Sequence, residues 1–225
     1  MLFRDRTEAG KVLADRLAAY TGDPDAMVLA LPRGGVPVAF EVAEALKLPL
    51  DIFVVRKLGL PGHEEFAIGA IASGGARVLN QDLIRQLALD DEVIEQIVAR
   101  EQRELERREH TYRGQRPAPD LRDRTLILVD DGLATGSSMR AAIAALRQQQ
   151  PAKLIVAVPV AARSICDELD ALADEVLCLE TPPNFRAVGL WYRDFSQVTD
   201  EAVIDLLERN RKHSEARNIR QEAGL

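Results

Sequence analysis

Leu126-Ile127-Leu128-Val129-Asp130-Asp131-Gly132-Leu133-Ala134-Thr135-Gly136-Ser137-Ser138 is the stretch on which the fold turns. Four aliphatic residues make a buried strand that ends in two adjacent carboxylates. A Gly/Thr/Ser turn follows and opens a helix expected to start near Met139. A strand end is rigid and places its carboxylates. The turn offers backbone N–H groups and hydroxyls to an anion, and the helix N-terminus adds its dipole. Carboxylates beside an anion cradle suit a ligand that carries both hydroxyls and a phosphate, such as a sugar phosphate. A P-loop would need a Lys in G-x-x-x-x-G-K-[ST], and this turn has none. A phosphorelay receiver would need a further Asp at the end of a later strand, where this chain has Pro159-Val160-Ala161. No G-x-G-x-x-G follows a strand.

Outward from this motif, apolar runs alternate with helical periodicity. A helix is expected over about 7–20, a strand at 27–31, a turn at 32–35 and a helix over 36–46. A second strand runs over 50–55. Residues 56–76 are Gly-rich and read as a flexible excursion or hairpin. The segment 81–113 reads as helix, with Arg100, Arg103, Arg107 and Arg108 interleaved with glutamates as a solvated face. Beyond the motif come a strand at 154–158, a helix over 164–172, a strand at 176–179 and an aromatic stretch over 185–195. A last helix spans about 200–210, and the tail after it has no apolar periodicity, so it frays or docks on a partner subunit in a homo-oligomer. The alternation predicts an α/β fold with a parallel sheet of about five strands and helices on both faces. Ligands bind such sheets at the carboxyl ends of the strands, near the topological switch point. The polar loops 32–35 and 130–138 meet there if the strand at 27–31 lies beside the strand at 126–129.

The chain of 225 residues carries 29% charged and 4% aromatic residues and a net charge of −7. Its core is therefore mainly aliphatic, and the charge argues against nucleic acid or a membrane surface as partner. The charged start, Met1-Leu2-Phe3-Arg4-Asp5-Arg6, has no apolar leader character. Cys166 and Cys178 lie on separate expected elements without Cys-x-x-Cys spacing and read as two buried thiols of a reduced protein, which with the missing leader suggests the cytoplasm.

The stretch 126–138 resembles the phosphoribosyl pyrophosphate (PRPP) signature of the type I phosphoribosyltransferases. The resemblance covers about 27–195 and implies that family's α/β fold as one domain over 1–225. In it the core spans 27–180, the flexible loop 56–76, a helical insertion 81–113, and a hood 181–196 is followed by the C-terminal helix. It implies that Asp130 and Asp131 bind the ribose hydroxyls and that Ala134, Thr135, Gly136, Ser137 and Ser138 cradle the 5′-phosphate. Several purine-salvage relatives carry an Asp where Ala134 stands, so the base-contacting group of those enzymes is absent here. Pro32-Arg33-Gly34-Gly35 resembles the family's pyrophosphate loop, which often holds a cis non-proline peptide, and Arg56-Lys57 resembles the start of the flexible loop of adenine-type members.

The implied function is Mg²⁺-dependent transfer of the phosphoribosyl group of PRPP to a nitrogen of a nucleobase-like acceptor, within nucleotide salvage. Arg33, Lys57, Asp131 and the loop carboxylate Glu65 are the implied catalytic groups, and Asp130, Asp131 and Asp194 the implied metal ligands. Phe185 and Trp191, with Asp194, are expected to face the acceptor. Phe185 and Trp191 read equally well as an aromatic satellite core. The same fold also admits a non-catalytic PRPP- or nucleotide-binding regulator, and a sugar-phosphate hydrolase.

Overall fold

The computed structural model describes residues 2–60 and 63–222, with the side chains of 63–65, 218 and 220–222 outside the description. Its centre is a sheet of five parallel strands in the order β2-β1-β6-β7-β8. These are β1 (Ala26–Ala30), β2 (Leu50–Ile52), β6 (Thr125–Val129), β7 (Lys153–Val160) and β8 (Glu175–Glu180). Side chains alternate between its two faces, as the pleat requires. Val28, Ala30, Ile127, Val129, Ile155 and Ala157 enter one core, and Met27, Leu29, Leu126, Leu128, Leu154 and Val156 enter the other. Both faces are covered, which explains the continuous apolar strands.

Helices α1 (Arg6–Arg16), α2 (Gly35–Leu46), α4 (Asp91–Arg113) and α7 (Asp200–Glu222) pack on the first core. Helices α5 (Ser137–Gln148) and α6 (Arg163–Leu169) pack on the second. Helix α3 (Gln81–Gln86) is separated from α4 by a break at Ala88, whose φ is 47°. The segment read as one helix over 81–113 is thus two.

The chain runs outward from β1 to β2 and then returns to the other side of β1 with β6. The switch point therefore lies between β1 and β6, which pair from Ala26↔Thr125 to Ala30↔Val129. The loops at 32–35 and 130–138 both leave this point.

Further features extend or differ from the sequence expectation. The Gly-rich stretch at 56–76, read as a flexible excursion or hairpin, is a hairpin of β3 (Val55–Leu60) and β4 (His63–Ala72), and β5 (Ala76–Leu79) completes a second, antiparallel sheet with them. Leu58, Ile68 and Ile71 are buried in the first core and anchor it. The tail after 210 continues α7 to Glu222. It is held along α2 by His213 Nδ1 to Glu44 Oε2 at 2.7 Å, and Asn210 Nδ2 donates to the same carboxylate at 2.7 Å. Within the helix, Arg209–Asp205 and Arg211–Glu215 add i,i+4 pairs. Finally, the two cysteines are not separate thiols. α6 folds back on β8, bringing the Cα atoms of Cys166 and Cys178 to 6.7 Å, and the two form a disulfide. Among the described residues no helix is long and apolar enough to cross a membrane.

Candidate active site

Asp130 and Asp131 sit at the end of β6, against the turn that follows β1. A side chain on Gly35 would meet the Val129 carbonyl at 2.8 Å, and one on Gly34 would meet Asp131 Oδ2 at 2.0 Å. Glycine at 34 thus lets the backbone of one loop close onto the carboxylate of the other. The Pro32–Arg33 peptide just before Gly34 is cis, as the resemblance implies.

The two carboxylates have different surroundings. Asp130 Oδ1 accepts the Asp131 N–H at 2.8 Å. Burial, reinforced by the neighbouring Asp131 charge, holds the Asp130 carboxyl well above the ordinary carboxylate range. Burial also raises Asp131, but the Arg6 guanidinium opposes the rise. Arg6 Nε donates to Asp131 Oδ2 at 2.9 Å, its Nη1 donates to the Ser196 carbonyl at 2.8 Å, and its Cζ lies 3.9 Å from the Phe195 ring centroid. Tyr192 donates its hydroxyl to the Asp131 carbonyl at 2.6 Å. Arg6, Tyr192 and Phe195 escaped the sequence reading. Arg6 stands 125 residues before Asp131, and no local pattern links them.

After the acidic pair comes the turn that the sequence reads as an anion cradle. Gly136 adopts φ 68°, a conformation favouring glycine. It caps α5 without a side-chain hydrogen bond, so the first-turn N–H groups of α5 have no side-chain acceptor at that cap. Thr135 Oγ1 and Ser137 Oγ lie 3.1 Å apart. Asp130, Thr135, Ser137 and Ser138 line a 200 Å³ cavity here, and Ala134 brings no polar side chain to it. All five cradle residues anticipated from the sequence, Ala134 to Ser138, line this one space.

The cations divide. Arg33 lines a separate 380 Å³ cavity with Arg6, Gly34, Asp131, Phe195 and Gln197. Its Nη1 stands 3.7 Å from Asp200 Oδ1, which also accepts the Tyr112 hydroxyl at 2.7 Å. Burial and Asp200 push the Tyr112 phenol up to about 12. Arg56 and Lys57 line a 410 Å³ cavity beside Pro32 that shares Ser138 with the cradle. Arg56 is not free: its Nε donates to the buried Glu101 of α4 at 2.9 Å. Lys57 has no ion pair among the described residues and also borders a 640 Å³, largely apolar groove between β4, β5 and α5.

The expected acceptor residues lie elsewhere. Phe185 and Trp191 pack on a satellite cluster of Phe3, Ala9, Val160 and Tyr192, so the aromatic-core alternative describes them. Backbone bonds tie this hood to the N-terminus, from Phe3 N–H to the Trp191 carbonyl and from Arg193 N–H to the Phe3 carbonyl, both 2.9 Å. Asp194 is exposed and accepts the Ser196 N–H at 2.9 Å, which lowers its carboxyl below the ordinary range. Among the described residues no three His, Cys, Asp or Glu side chains form a metal-binding group, so Asp194 does not join Asp130 and Asp131. The pair alone fits Mg²⁺, which is ordinarily held by one or two carboxylates and completed by substrate phosphates and water. Glu65 lies on β4 with its side chain outside the described residues.

The family model for the phosphoribosyl transferase domain matches residues 6–194. The Mycobacterium tuberculosis protein named "Putative phosphoribosyl transferase Rv0571c" is 46% identical over 208 residues, which is 92% of this chain. The chain spans about half the length of the curated relatives it matches, 47%. The crystal structure of TT1426 from Thermus thermophilus shares 45% identity, covers 93% of this chain and 99% of its own, and superposes with a TM-score of 0.82. The match runs from Arg6 at the acidic pair to Asp194 in the hood, and on this ground the chain belongs to the phosphoribosyl transferase domain family.

Proposed function

We propose that this protein transfers the 5-phosphoribosyl group of PRPP to a nitrogen of a nucleobase-like acceptor and releases pyrophosphate. The observation that carries the reading is the junction at the β1/β6 switch point, where the acidic pair, the turn over 134–138 and the Pro32–Gly35 turn adjoin. Asp130 and Asp131 bind the ribose hydroxyls, and the N–H groups and hydroxyls of Ala134 to Ser138 hold the 5′-phosphate.

In the reaction the C1–O bond to the diphosphate breaks and its electron pair leaves with pyrophosphate. A nitrogen lone pair forms the new bond to C1, and the acceptor nitrogen gives up its proton to water. Positive charge grows on the ribose ring as the leaving group departs, so its stabilisation is mainly electrostatic. Lys57 faces the leaving group, and Arg33 faces the acceptor side. Mg²⁺, when bound by Asp130 and Asp131 with ligand oxygens, would offset diphosphate charge.

The acceptor is assigned to the 380 Å³ cavity next to Asp131, where Gln197 supplies an amide able to donate and accept. Gln197 thus faces the acceptor in place of Phe185 and Trp191. The test is a panel of purine and pyrimidine bases with PRPP and Mg²⁺, followed by nucleotide and pyrophosphate release. Turnover of one base supports the reading. PRPP binding with no turnover across the panel favours the non-catalytic regulator.

A further inference from the structure

The 410 Å³ cavity beside the Pro32 turn has a wall that the proposed transfer does not use. Helix α4 turns Arg100, Glu101 and Arg108 into it, facing Arg56 and Lys57 of β3. Glu101 is 7% exposed and accepts from Arg56 at 2.9 Å and from Arg100 at 3.0 Å, so one buried carboxylate fixes two guanidinium groups. Arg108 is held from behind by Glu104 at 2.8 Å, which also holds Arg107. Among the described residues, even with Glu104 counted, the cations around this space outnumber the carboxylates two to one.

A purely structural ion-pair cluster would balance its charges, since like charges brought together raise the energy of the folded state. The surplus here faces an open space instead. That space is bounded by Pro32 of the turn on one side and by Ser138 of the cradle on the other. An anion entering it lies alongside a phosphate already held in the cradle.

We propose that α4 is part of the diphosphate site, with Arg100 and Arg108 joining Lys57 as direct ligands of the leaving group. This rests on the PRPP reading above, and it gives the insertion at 81–113 a binding role in place of a solvated face.

The test is calorimetry on the full chain with two probes, inorganic pyrophosphate and ribose 5-phosphate. The variants are Arg100→Gln with Arg108→Gln, and Arg103→Gln as control. Arg103 lies on the same helix, is exposed and donates to its own helix carbonyl at Ala99. Glu101 keeps Arg56, and Glu104 keeps Arg107, so the double variant leaves no buried carboxylate unpaired. Pyrophosphate affinity is expected to fall about tenfold or more for each of the two arginines removed. Ribose 5-phosphate affinity stays unchanged, and Arg103→Gln changes pyrophosphate affinity by less than about twofold because exposed charges are screened.

Unchanged pyrophosphate affinity in the double variant, or an equal loss in Arg103→Gln, overturns the proposal. The reading it rests on fails separately. If pyrophosphate binding depends on Arg100 and Arg108 while ribose 5-phosphate does not bind at all, the anion wall stands and the PRPP reading falls.

Discussion

Gly34→Ala puts one methyl group into the narrowest gap of the site. Gly34 has φ −59° and ψ −34°, which any residue adopts, so the backbone accepts alanine and only space opposes it. The new Cβ would lie 2.0 Å from Asp131 Oδ2 and 2.7 Å from its Cγ. Unstrained contacts between heavy atoms begin near ~3.5 Å. The carboxylate must therefore swing away by more than about 1 Å, and the 2.9 Å bond from Arg6 cannot survive the move. A hydrogen bond between charged groups contributes about 1.5–3 kcal/mol, and overpacking costs about 1–3 kcal/mol. Part of this is recovered as the carboxylate reaches solvent, leaving a net loss of about 2–3 kcal/mol. For a chain of this size that lowers Tm by roughly 4–12 °C. PRPP affinity should fall about tenfold or more, since one of the two carboxylates proposed to bind the ribose is displaced. Thermal melts in metal-free buffer and calorimetry with PRPP read the two effects. The three nearest atoms to the new methyl all belong to the Asp131 carboxylate. In an Asp131→Ala background the same substitution should therefore cost much less, and the double-mutant cycle isolates the clash. Equal cost in both backgrounds would refute this packing of the two loops.

Asp130→Asn should raise Tm by roughly 2–4 °C at pH 7 in metal-free buffer. The folded-state pKa of Asp130 is raised, so its contribution favours folding below the unfolded value and is lost as pH rises through the folded value. The gain of the variant should thus vanish at acid pH, and a gain that grows on acidification contradicts the assignment. Arg6→Ala removes the group that opposes the rise of Asp131, so the acid limb of PRPP binding should move to higher pH. Calorimetry across pH checks it, and an unmoved limb denies Arg6 that influence. Arg113→Ala breaks a buried cluster in which Arg113 donates to Asp51 at 3.0 Å, Glu109 at 2.7 Å and the Ile52 carbonyl at 2.6 Å. It should cost about 3–5 kcal/mol in urea unfolding, and a loss under about 1 kcal/mol would show the charges to be well solvated without it.

What could be read from the sequence follows the range of each signal. The strand, acidic pair and turn over 126–138 are contiguous, so their joint geometry is written locally, as is the turn at 32–35. Their meeting follows from the β1/β6 pairing, which from the sequence stands only as a condition because alternation of strands and helices does not fix strand order. Arg6 could not be read in this way, because only folding brings α1 to the end of β6. The role of α4 had a signal that charge interleaving obscured. Ile94, Ile97, Glu101, Leu105 and Tyr112 follow one helical stripe and are all buried. A carboxylate inside such a stripe marks a partner, here Arg56. The aromatic stretch at 185–195 misled in the opposite way. Residue type suggested ring stacking, but Phe3 and Val160 complete a small core around Phe185 and Trp191. The disulfide was hidden because α6 and β8 are separate in sequence yet packed together in space.

The proposed transfer requires that Asp130 and Asp131 face a ribose while the turn after them holds its phosphate. Calorimetry with PRPP and Mg²⁺, comparing the native chain with the double variant Asp130→Asn, Asp131→Asn, tests it most directly. The expected result is clear binding by the native chain and loss of most of that affinity in a variant that still folds and unfolds cooperatively. Equal affinity in the two proteins would contradict it.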